Sequence, residues 1–245
     1  MSDTLLETRG LRAAHGQLLA VRDMDFSIKR GEIVALIGAN GAGKTTLLRC
    51  LSGVHPFADG QVLLHDCDVT ALKAHQRVQR GLVMVPEGRR LFGDMSVREN
   101  LRVASDHGRK GEWTLQKVLD ALPALVSIID RPAAALSGGQ RQAAAIGRAL
   151  MTNPDVLLLD EISLGLSPIA VDEVYRNLET LRQAGSTSLL LVEQDLSRAM
   201  AFADRILCLR EGRIALQGLA KILSREAVTK AYFGMEVVPH SEPKV

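Results

Sequence analysis

The chain has 245 residues, of which 47% are apolar, 24% charged and only 3% aromatic, with a net charge of +2. That length holds one large domain or two lobes on a shared core, built from Leu, Val, Ile and Ala. The near-neutral balance argues against binding nucleic acid by charge alone, and no apolar stretch approaches the roughly 20 residues that span a bilayer.

In chain order, the N-terminal "MSDTLLETRG" has acids and no apolar run, so it does not read as a signal peptide. The stretch "LETRGLRAAHGQLLAVRDMDFSIKRG" has short alternating segments and turn residues, which predicts antiparallel β-structure. "EIVALIG" predicts a buried strand, followed by a glycine turn and a helix over 44–52. "GLVMVPEG" predicts a second strand that runs into a Pro/Gly break. Residues of about 87–148 read as mostly helical, an inserted lobe. "DVLLLDE" and "TSLLLVEQ" are near-continuous apolar runs, as expected of strands buried on both faces of a parallel sheet. Helical patterns fall over about 139–153, 168–184 and 196–202. Strand alternating with helix predicts an α/β fold whose ligand edge lies at the strand C-termini. A polar tail follows over about 235–245, so the chain is read as one domain over 1–245. Cys50, Cys67 and Cys208 are scattered with no CxxC pair, which reads as reduced thiols.

"GANGAGKTT" comprises Gly38, Ala39, Asn40, Gly41, Ala42, Gly43, Lys44, Thr45 and Thr46. It fits GxxxxGK[ST] and lies between a predicted strand and a predicted helix, the context a phosphate loop needs. Glycines let backbone N–H groups curl around phosphate oxygens. Lys44 supplies a point charge to the outer phosphates, and the Thr45 hydroxyl is a hard ligand for Mg²⁺. The competing reading is a plain glycine-rich turn; a dinucleotide loop fits poorly, because the glycines run GxxGxG. "LLLDE" ends in two carboxylates: Asp160 can hold Mg²⁺ through water, and Glu161 can polarise the attacking water. An acidic helix cap would look the same. Glu87, in "VPEGRR", falls at a strand end where it can face the metal, or else is a solvated turn acid.

"LSGGQ" (Leu136, Ser137, Gly138, Gly139 and Gln140) opens an alanine-rich helix. Free N–H groups at a helix start form an anion site. A second such device in a chain that already has a phosphate loop points to a nucleotide held by another subunit. The alternative is a capping box in which Ser137 pairs with Gln140, although that reading leaves the two glycines without a purpose.

In order, "GANGAGKTT", "VPEGRRLF", "LSGGQRQ", "LLLDE" and "VEQD" resemble the ATP-binding cassette family across nearly the whole chain. "IGANGAGKTTLL", "AIGRALM", "SLGLSP" and the late "AYFG" resemble its second ATPase subunit of branched-chain amino-acid importers. The resemblance implies a P-loop NTPase with a RecA-like core, an antiparallel β lobe and an inserted helical lobe. It implies ATP and Mg²⁺ as ligands, with 38–46 as Walker A, Asp160 and Glu161 as Walker B and catalytic base, and 136–140 as a signature acting in trans. It implies a second ATPase subunit, in a heterodimer or a homodimer, and two membrane permease subunits. It further implies a periplasmic or extracellular solute-binding protein that takes part indirectly, and work at the cytoplasmic face of the membrane. Urea or short-chain amides are the alternative cargo. A repair protein would need a long coiled coil between P-loop and signature, and the interval here is short.

The sequence departs from the family pattern at five positions. His15 stands where an adenine-stacking aromatic is expected, Glu87 at the usual Q-loop Gln, and Gln194 at the switch His. Ile162 follows the Asp-Glu pair in place of Pro, and Ser167 replaces the D-loop Asp. Gln194 can hydrogen-bond a γ-phosphate through its amide but cannot be a charged donor. Together Gln194 and Ser167 predict a site that is the weaker of two.

Overall fold

Four strands of five, four, four and five residues, nearly all with no exposed face, organise the molecule: β3 (Ile33–Ile37), β6 (Leu82–Val85), β7 (Val156–Leu159) and β8 (Ser188–Val192). The computed structural model describes residues 3–15, 18–56, 59–185 and 187–235, with only the backbone of His15. β9 (Arg205–Arg210) and β10 (Arg213–Leu219) complete a six-stranded sheet in the order β10-β9-β3-β8-β7-β6. Its pairings are parallel from β9 to β6, and β10 is antiparallel to β9.

The side-chain period of two explains why these runs carry so few polar residues. Ile33, Ala35 and Ile37 of β3 pack into the core under the helices, and Val34 and Leu36 into a second core on the other face. β7 splits the same way, with Leu157 and Leu159 on one side and Val156 and Leu158 on the other. The second face is covered by an antiparallel sheet of β1 (Thr4–His15), β2 (Leu18–Lys29), β4 (Asp59–Leu64) and β5 (Cys67–Asp68), in the order β2-β1-β4-β5. β1 and β2 thus pair antiparallel, as their alternation predicts.

Helix α1 (Lys44–Leu51) lies between the two sheets, burying Leu47, Leu48, Cys50 and Leu51. It stops one residue earlier than expected, with Ser52 as its C-cap. α2 (Ala74–Arg80) leads into β6. Between β6 and β7 lie α3 (Val97–His107), α4 (Leu115–Ala121), two 3₁₀ turns (Pro123–Ile128 and Ala133–Ala135) and α5 (Gly138–Leu150). α5 ends three residues short of the expected 153. Asn153 takes a left-handed backbone (φ 55°), and its side chain instead binds the 109–113 segment, accepting from Trp113 N and donating to Arg109 O. α6 (Pro168–Ala184), α7 (Leu196–Phe202) and α8 (Arg225–Phe233) follow, the first two at their expected bounds. The three cysteines are free, Cys50 and Cys208 buried and Cys67 exposed. Among the described residues no helix is long and apolar enough to cross a membrane.

Candidate nucleotide site

The strand C-termini of β3, β6, β7 and β8 end on one edge, and the polar residues singled out in the sequence follow them. After β3 the chain turns through Gly38 (φ 153°) and enters α1 at Gly43 (φ 103°). A Cβ at Gly43 would stand 2.2 Å from Ala20 O, and one at Gly38 would stand 2.4 Å from Leu209 O. Both glycines are therefore needed for close backbone approach as well as for conformation. Lys44 is 4% exposed and its ammonium donates to Gly38 O at 2.7 Å and Ala39 O at 3.1 Å. Burial lowers its pKa, and the charges of Glu161 and Asp160 act against that. The ammonium stands 4.0 Å from Glu161 Oε1.

Thr45 Oγ1 donates to Asp160 Oδ1 at 3.2 Å, so the phosphate loop and the end of β7 touch directly. Asp160 is fixed by its own N–H, which donates to Val85 O of β6 at 3.0 Å. Burial pushes its carboxyl up to about 6; the Thr45 hydroxyl opposes this, and Glu161 and Glu87 add to it. Its Oδ2 is buried with no hydrogen-bond partner. An orphaned buried carboxylate oxygen beside a threonine hydroxyl is a hard-oxygen donor set suited to Mg²⁺. Among the described residues no cluster of three or more His, Cys, Asp or Glu could hold a metal unaided. The remaining ligands would therefore come from phosphates and water, as is usual for this ion.

Glu161 has a left-handed backbone (φ 48°), a strain of about 1 kcal/mol for a non-glycine residue. Glu87, Asp160 and Glu161 line one cavity of about 190 Å³. Two residues that sequence reasoning passed over line it too: Arg89 and Gln142, joined by a 2.9 Å bond from Arg89 Nε to Gln142 Oε1. Gln142 is buried on α5, so this bond ties the loop after β6 to the helix that carries the signature. The repeated polar letters of "LSGGQRQ" offered a signal, but nothing in the sequence paired them with "EGRR".

The family profile for ABC transporters matches residues 21–163. The chain belongs to the ABC transporter family. It is 40% identical, over 90% of its length and 95% of the relative's, to the high-affinity branched-chain amino acid transport ATP-binding protein BraG of Pseudomonas aeruginosa. It is 33% identical, over 96% of its length and 99% of the relative's, to the high-affinity branched-chain amino acid transport ATP-binding protein LivG of Escherichia coli K12. A crystal structure of an ABC transporter's ATP-binding cassette in its ADP conformation superposes with a TM-score of 0.82 at 27% identity, covering 95% of this chain and all of that one. This ABC protein is an ATPase coupled to transport, with the α/β cassette fold.

The segment expected to be the signature, 136–140, runs into the start of α5. Ser137 caps the helix, accepting from Gln140 N at 3.3 Å, and Gln140 Oε1 accepts from Ser137 N at 3.0 Å. The capping box is therefore formed, and the view that it leaves the glycines without a purpose needs correcting. A Cβ on Gly138 would lie 2.9 Å from Leu166 Cδ2, and one on Gly139 would lie 3.1 Å from Ala170 Cβ. The glycines let α5 press onto the loop after β7 and the start of α6. Leu136 is buried and Ser137 exposed.

Ser167, at the D-loop Asp position, caps α6 and accepts from Ala170 N at 3.4 Å; Ile162 is buried in the core. Gln194 is exposed just past β8. His15 ends β1, and its side chain lies outside the described residues. Residue Glu193, beside Gln194, escaped the sequence reading altogether. It is 2% exposed and gathers four hydrogen-bond donors.

Proposed function

We propose that this chain is the nucleotide-hydrolysing subunit of an importer for branched-chain, hydrophobic amino acids, working at the cytoplasmic face of the membrane. The observation that carries the reading is the meeting of Lys44, Thr45, Asp160 and Glu161 at one strand edge, in a chain 40% identical to a branched-chain amino acid transport ATP-binding protein.

On this reading the 38–46 loop wraps the phosphates and Lys44 exchanges its two carbonyl partners for outer-phosphate oxygens. Mg²⁺, when bound, neutralises charge on those oxygens; Thr45 and Asp160 would hold it, with Glu87 facing it across the cavity. Glu161 takes a proton from water as the water oxygen bonds to the γ-phosphorus and the bond to the bridging oxygen breaks, leaving ADP and phosphate. Ser137, Gly138 and Gly139 complete the site of a second ATPase subunit. In a heterodimer, Gln194 and Ser167 make this chain's site the slower one.

Two permease subunits are the motor's load, supplied from outside by a solute-binding protein. An apolar groove of about 370 Å³ beside the Glu87 loop, lined by Val83, Phe92, Val103 and Ala145, supports a docking place for one of them. Phe92 is 49% exposed at its rim, its ring 5.7 Å from the Arg148 guanidinium.

The test is ATP-driven uptake by the intact membrane complex reconstituted in vesicles. Leucine, isoleucine and valine should enter in competition with one another. Uptake of urea or short-chain amides instead would overturn the cargo while leaving the ATPase reading intact.

A further inference from the structure

Glu193 follows β8, where another apolar residue would have continued the run Leu189–Val192. A carboxylate there must be taken out of water, which is costly unless every lone pair finds a donor. Here it does. Ser163 Oγ lies 2.9 Å from both Oε1 and Oε2, and Tyr175 Oη donates to Oε2 at 2.8 Å. The N–H groups of Gln194 and Asp195 donate to Oε1 at 2.9 and 3.1 Å. Among the described ion pairs, Glu193 has no cationic partner.

The four donors come from three parts of the fold. Ser163 lies in the turn that begins at Glu161, where Leu164 N donates to Glu161 O. Tyr175 stands on α6, its ring edge-on to Phe202 of α7 at 5.4 Å. Gln194 and Asp195 form the loop after β8. The Glu193 backbone is itself held to the phosphate-loop strand by its N–H donating to Leu36 O at 3.3 Å. Burial and the neighbouring carboxylate raise the Tyr175 hydroxyl far above its ordinary value, so it stays a donor.

We infer that Glu193 is a positioning residue for hydrolysis: its carboxylate ties the Glu161–Ser163 turn to the Gln194 loop, so that the base and the γ-phosphate contact are held in register. The inference rests on Glu161 being the base. The Glu193 carboxylate is buried and taken up by these protein donors, so its loss should act on turnover and not on binding.

The test uses the full chain at high concentration, with single-turnover hydrolysis and ATP binding measured on the same samples. Glu193→Ala should slow hydrolysis at least tenfold with ATP affinity within twofold of wild type, and Glu193→Gln, which keeps an acceptor for the two N–H groups, should recover most of that loss. Should Glu193→Ala fail to fold, Ser163→Ala combined with Tyr175→Phe removes two donors and should slow hydrolysis severalfold at unchanged affinity. Glu161→Gln run alongside separates the two readings. Stalled Glu161→Gln with unimpaired hydrolysis in Glu193→Ala, or in the double variant, overturns this inference alone. Wild-type turnover by Glu161→Gln overturns the base assignment and this inference with it.

Discussion

Thr45 and Asp160 are 115 positions apart in the chain, and their side-chain oxygens meet at 3.2 Å. The contact joins the start of α1 to the end of β7 and leaves Asp160 Oδ2 buried and unpaired. An orphaned oxygen of this kind is explained by an ion that takes it as ligand, directly or through water. ATP affinity should therefore fall on removal of Mg²⁺ by EDTA. Asp160→Asn should already have lost most of that difference, on the order of tenfold. Equal EDTA sensitivity in wild type and variant, read by fluorescent-nucleotide titration, would remove Asp160 from the metal site.

The other end of α1 is held by Arg77, 1% exposed, whose guanidinium donates to Cys50 O, Leu51 O, Thr70 O and Leu72 O at 2.7–3.0 Å. A cation there also complements the helix C-terminus. Arg77→Met should cost about 3 kcal/mol in urea unfolding, because it orphans several carbonyls. Arg77→Lys should recover little, since one ammonium cannot replace the planar fork.

At the opposite edge of the sheet, Asp155 receives Arg109 Nη2 at 2.9 Å and a His65 ring nitrogen at 2.7 Å, joining the helical segment and the β4–β5 turn to the core. Burial pushes its carboxyl up, but the bonds and charges of Arg109 and His65 outweigh that and hold it below the ordinary aspartate value. A depressed carboxylate stabilises the fold above its unfolded value and loses that contribution as pH falls through the folded one. Asp155→Asn should cost about 1–2 kcal/mol at neutral pH, the partners being partly exposed. The gap to wild type should close below pH of about 4. A gap that persists in acid would show that packing, not charge, is what the substitution removes.

Gln194 and the matching residue of a partner ATPase measure the asymmetry of the pair. In the reconstituted heterodimer Gln194→Ala should cost little turnover. The same change at the partner's switch His should cost on the order of a hundredfold. Equal, severe losses would mean that both sites fire.

The strands were legible because β3, β7 and β8 are buried on both faces, so their apolar runs are uninterrupted; the phosphate loop was legible because its spacing and context coincide. Glu193 was not, since its partners Ser163 and Tyr175 are brought to it only by the order of β7, α6 and β8. Arg77 reads in sequence as one more helix-surface cation, and only the packing of α2 against the end of α1 buries it. Gly138 and Gly139 invited a purely ligand-facing explanation, whereas Leu166 and Ala170 lie close enough that the small residues also serve packing.

We propose that Lys44, Thr45, Asp160 and Glu161 form one hydrolytic site, with Glu161 as its base. The direct measurement is ATP occupancy and ATP turnover of the full chain by itself at high concentration, in the same preparation of Glu161→Gln, with Lys44→Ala as the control that loses tight binding. Occupancy should stay full with turnover reduced at least a hundredfold, because an amide cannot take the proton of the attacking water. Wild-type turnover in Glu161→Gln would contradict it.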